Sequence, residues 1–129
     1  MGATLKILLK VMKRTILKES VQKRVASLIV SKVRGAVSIY SDAPVVSNAE
    51  SCGNWWYEIT VEPTGLKSIM TFAEIDSVRE AVDEYSKKYH GISCHMETKP
   101  YLASDNETWL SMPVLKISVQ RFEEDIFNK

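Results

Sequence analysis

Two histidines and two cysteines are the chain's whole supply of imidazole and thiol, and three of them, His90, Cys94 and His95, share a six-residue window. Residues of this kind ligate zinc or pair as nucleophile and base. The spacing suits neither task. On a strand, neighbours such as Cys94 and His95 point to opposite faces, and a tetrahedral site would need four ligands with Cys52 as the one other thiol. Neither cysteine stands in an activating setting such as a glycine-flanked helix N-terminus. The expectation is therefore no metal, no cofactor and no catalytic residue. The rival is a small enzyme whose site is built from loops around His90, His95 and Cys52.

Trp55-Trp56-Tyr57 is the next group with binding chemistry. Alternation along a strand sends Trp55 and Tyr57 to one face and Trp56 to the other, beside Glu58 and Glu62. An outward indole stacks a base or anchors a protein partner. The bland account is that a helix or loop covers it. There is no phosphate-cradling glycine loop and no dinucleotide fingerprint.

Charge gives the third group. Leu5 to Arg34 holds nine of the seventeen Lys and Arg residues with one acid, whereas the rest carries eight bases and fifteen acids. The formal +1 hides halves of +8 and −7. Lys10, Lys13, Arg14, Lys23 and Arg24 are the candidate binding residues of the basic half, with Trp56 added from the strand. They suit phosphate neutralisation, an anionic membrane surface, or docking on the chain's own acidic half. Membrane binding is the least expected of these.

The elements that must position these groups follow from periodicity. Residues 4–18 read as a basic amphipathic helix, with Leu5, Leu8, Leu9, Met12 and Ile16 on one face; a strand pattern over 5–11 competes. Ser20 caps a second helix whose core stripe is Val21, Val25, Leu28, Ile29 and Val33, with Gly35 as its C-terminal cap. Ala36–Tyr40 reads as a short strand and 41–54 as a long loop. Residues 55–62 and 66–72 read as a hairpin about Pro63-Thr64-Gly65. A helix begins near Ser77, with Ser77 and Glu80 as a capping box, buries Val78, Ala81, Val82, Tyr85 and Tyr89, and ends at Gly91. Ile92–Glu97 is a strand, 99–112 a second polar loop, and Val114–Phe122 a strand with Leu115, Ile117 and Val119 inward.

A length of 129 residues with 45% hydrophobic content fits one soluble α+β domain over 1–129. Its expected architecture is a two-layer, largely antiparallel sheet of about five strands with two or three helices on one face. Two cysteines point to a reducing, cytoplasmic home, and no apolar run is long enough to span a bilayer. The functional expectation is a small non-catalytic intracellular binding protein. It would regulate or inhibit a larger complex through a protein surface, in the manner of phage or mobile-element proteins, with a homodimer as one form of that surface. Nucleic-acid binding through the basic N-terminal helices is the alternative.

Overall fold

The computed structural model describes residues 19–53, 56–64 and 69–120. Helix α1 spans Glu19–Val37. Its stripe of Val25, Ala26, Ile29, Val30, Val33 and Val37 is buried, at the spacing that keeps one helical face against a core. That stripe explains why the expected strand at Ala36–Tyr40 does not form: Val37 completes the series one turn after Val33. Gly35 consequently lies inside the helix and caps nothing. Leu28, expected in the core, is 48% exposed. Gln22 is buried and its Nε2 donates to the Val119 carbonyl (2.8 Å), tying the helix to the sheet.

The sheet begins in the segment expected to be loop. Strands β1 (Val45–Val46) and β2 (Glu50–Cys52) both pair antiparallel with the same side of β3 (Trp56–Glu62). The registers differ by one residue: Val45 faces Glu62, but Glu50 faces Glu58. The edge is thus broken by a bulge between the two short strands. Arg34 pins it from α1, its Nη2 donating to the Val46 carbonyl and to Asn48 Oδ1 (both 2.9 Å).

Helix α2 spans Phe72–Ser86. It starts earlier than Ser77 because a capping box stands at Thr71 and Glu74. The Glu74 amide donates to Thr71 Oγ1 (3.1 Å) and the Thr71 amide to Glu74 Oε1 (2.8 Å). Phe72 is therefore helical, and the return strand expected at 66–72 is absent from its described residues, 69–72. Val78, Ala81 and Val82 are buried as anticipated. Ser77 instead meets the Tyr40 hydroxyl (2.6 Å). Both expectations for 4–18, helix and strand, lie outside the described residues, as does Trp55.

Strands β4 (Ile92–Leu102) and β5 (Trp109–Gln120) form a long antiparallel hairpin. Residues 99–112 are thus mostly strand, and the connecting turn is only 103–108. The sheet order is β1–β3–β5–β4, with β2 also on β3. Because β3 and β4 each run antiparallel to β5, they are parallel to one another, and α2 carries the chain across β5 between them. Ile59, Val61, Leu115, Ile117 and Val119 meet the stripes of α1 and α2 in one core. The result is a two-layer α+β protein with a five-stranded antiparallel sheet. Two of its five strands, β1 and β2, stand in the expected loop rather than at the expected positions.

Candidate functional site

The β4–β5 register is unbroken from Ile92–Val119 to Leu102–Trp109. Strand β3 reaches no further along β5 than Glu62, one residue past the Val61–Leu115 pair. Among the described residues, Thr98–Leu102 and Trp109–Pro113 stand out beyond it as a two-stranded arm. Leu102 and Trp109 face one another on the helix side of this arm, 42% and 68% exposed. On the other side Leu110, 42% exposed, is opposite Tyr101. Apolar side chains therefore project from both faces.

The turn that closes the arm is held by Asp105. Its Oδ1 accepts from the Glu107 and Thr108 amides (both 2.9 Å) and its Oδ2 from the Thr108 hydroxyl (2.6 Å). These bonds, led by the Thr108 side chain, lower the Asp105 pKa to about 2. Asn106 has φ 61°, a left-handed conformation that asparagine tolerates better than most side chains. The tip is held by local bonds, and among the described residues no core lies beneath it.

The sheet face away from the helices carries an ionic network. Lys116 Nζ on β5 donates to Glu58 Oε1 and Thr60 Oγ1 on β3 (both 2.9 Å). The hydrogen bond to Glu58 raises the Lys116 pKa above the usual lysine value. Lys99 Nζ on β4 reaches across β5 to Glu62 Oε1 (2.7 Å) at the level of Val114, which is fully buried. His95 Nε2 meets Glu97 Oε1 at 2.8 Å along β4. This face is thus pinned by opposite charges across three strands.

The other face holds a cleft of about 460 Å³ between α2 and β4, lined by Asp76, Arg79, Glu80, Asp83, Ser93 and Cys94 among others. Burial pushes the Cys94 thiol pKa up. Cys52 is raised as well, by desolvation and by the Glu58 and Glu50 carboxylates. Near neutral pH both groups are protonated and poorly nucleophilic.

The residues suspected of catalysis are not brought together. Cys94 faces the helices, whereas His95 lies on the open face, as strand alternation requires. Cys52 shares that open face but pairs with Trp56, three strands from His95 and four residues along the sheet. Strand geometry places them roughly 20 Å apart. His90 follows the end of α2, in the turn before β4, rather than on the helix end. Among the described residues no group of three or more His, Cys, Asp or Glu side chains is placed to hold a metal ion.

The suspected binding residues also separate. Lys23 and Arg24 are exposed on α1. Trp56, 36% exposed, is on the opposite face of the sheet, because its neighbour Tyr57 is the residue turned toward the helix layer. The sheet divides them, so they do not form one surface. Lys10, Lys13 and Arg14 lie outside the described residues. Trp109, Leu102 and Leu110 were missed by the sequence reading. Their signal was a pair of aromatic-bearing runs flanking Ser-Asp-Asn-Glu, a hairpin pattern obscured by Pro100.

No protein-family model matches the chain, and neither the curated proteins nor the solved structures contain a detectable relative.

Proposed function

We propose that this is a non-catalytic binding protein that acts by docking its β4–β5 arm on another protein, as a small regulator or inhibitor of a larger complex. The observation that carries this reading is the arm itself: Leu102, Trp109 and Leu110 exposed on a ladder whose turn is already ordered. An exposed tryptophan on a preorganised support is the composition of an interface anchor, and ordering before binding lowers the entropic cost of docking. The two free thiols support a reducing, intracellular setting. No described helix is long and apolar enough to cross a membrane.

A photo-crosslinking residue placed at position 109 tests this in cells of the source organism, with position 24 on α1 as control. The expected result is one discrete adduct from 109, abolished by Leu102→Ser with Leu110→Ser. Equal adducts from both positions, or none from 109, would overturn it. The nucleic-acid reading has the exposure of Lys23 and Arg24 in its favour. It requires binding that falls steeply with salt and weakens on charge reversal at those two residues.

A further inference from the structure

The two edges of the sheet are built differently. The β1–β2 edge is short, bulged and pinned by Arg34. The β4 edge is eleven residues long, and the constant register with β5 shows no bulge. The direction of its free backbone groups follows from two bonds. The Gln120 amide donates to the Gly91 carbonyl (2.7 Å), and the Ala103 amide to the Thr108 carbonyl (2.8 Å). Odd-numbered residues of β4 therefore bond to β5, and in an antiparallel ladder the alternate residues point their amides and carbonyls outward. Those are Ile92, Cys94, Met96, Thr98, Pro100 and Leu102. Among the described residues no strand pairs with this side. His95 to Pro100 are all exposed.

Pro100 stands on the outward series, where it lacks a donor and stops any added ladder. From Cys94 to Thr98 nothing comparable guards the edge. Such an edge is a template for another strand, and its own sequence is self-complementary in one register. Two copies of β4 related by a two-fold axis at Met96 pair Cys94 with Thr98 of the second copy, and Met96 with itself. Six outward hydrogen bonds then form, counted from the alternation. On the open face His95 meets Glu97 of the second copy, twice. Moving the axis one residue to Glu97 sets two carboxylates against each other, and moving it to His95 sets two imidazoles together. Opposed carboxylates disfavour the first of these registers, and the second gives up both His95–Glu97 contacts.

The helix layer accepts the same arrangement. The cleft beside α2 is lined on β4 by Ile92, Ser93 and Cys94. In the Met96 register these residues lie opposite Pro100, Lys99 and Thr98 of the second copy. Each α2 thus flanks its partner's arm, and the two helices are offset along the strands by about 20 Å.

We infer that the outer edge of β4 is a homodimer interface, in which two copies join antiparallel about Met96 into one continuous sheet. It goes beyond the arm's docking role, because it rests on β4 backbone and charge and not on Trp109.

Light scattering after size exclusion on the full chain tests it. The expected mass is twice that of one chain at about 100 μM, whereas a monomer at that concentration overturns the proposal. Thr98→Pro removes an outward amide only, leaving the β4–β5 ladder intact, and should weaken the dimer by about tenfold or more. A folded Thr98→Pro protein that dimerises as before also overturns it. Should that variant fail to fold, the charge variants decide. Glu97→Lys should weaken the dimer, and His95→Glu combined with Glu97→Lys should restore it, because the new pair meets across the same axis. Failure of that rescue overturns the Met96 register. Crosslinking at position 109 is read by the mass of its adduct: one with a second copy bears on the dimer and one with a different protein on the docking reading, so loss of one result leaves the other standing.

Discussion

The two ends of the β4–β5 hairpin share one register and one hydrogen-bond pattern, yet they are stabilised by different physics. At the body end Leu115, Ile117 and Val119 are fully buried beneath α1 and α2. At the arm end Leu102 and Trp109 are exposed, and order comes from the Asp105 turn and the ladder. The lesson is that an apolar residue at an inward strand position is core only where a second layer arrives. Where none does, the same pattern leaves the side chain exposed.

That contrast breaks most sharply at Ile117. Ile117→Ala should lower unfolding stability by about 2–5 kcal/mol in urea denaturation, the cost of a buried cavity. A smaller effect belongs to the layer that covers it: Thr71→Ala removes the α2 cap and should cost about 1 kcal/mol. On the arm, Trp109→Ala should change global stability by less than about 0.5 kcal/mol, as for an exposed position. A loss comparable to that of Ile117→Ala would erase the distinction between the two ends.

The mildest test is pH. Asp105 has a folded-state pKa near 2, below its ordinary value of 3.8. Its contribution to the turn is complete above the ordinary value and is lost as pH falls through about 2. Amide exchange at Glu107 and Thr108 should therefore be protected more weakly there than the pH dependence of free amides accounts for. The exchange of Ile117 and Val119 should report any global unfolding separately. Equal loss at both ends would show that the arm has no local stability of its own.

The fold class was legible because Leu115, Ile117 and Val119 alternate cleanly and because Val25, Ile29 and Val33 repeat at helical spacing. Other boundaries were decided by features a single pattern hides. Thr71 and Glu74 have the same capping-box spacing as Ser77 and Glu80, and tertiary bonding from Tyr40 to Ser77 goes with the longer helix. Strands β1 and β2 are too short to show periodicity, and the bulge between them shifts what little there is. Pro100 made 99–112 resemble a loop, although an edge strand admits proline on its outward side. The candidate site was the least legible part. Exposure of Trp109 depends on where β3 stops, and no property of residues 99–112 states that.

The strand order has a consequence for synthesis on the ribosome. Strand β5 separates β3 from β4 and is the last described strand to leave the exit tunnel. Until it emerges, β3 has neighbours on one side only and β4 has none among the described strands, while the face on which α1 and α2 settle lacks Leu115, Ile117 and Val119. Helices α1 and α2 can meet each other, and α1 can meet β3, before then, but the core they share stays incomplete. The described sheet can be completed only once β5 lies between β3 and β4.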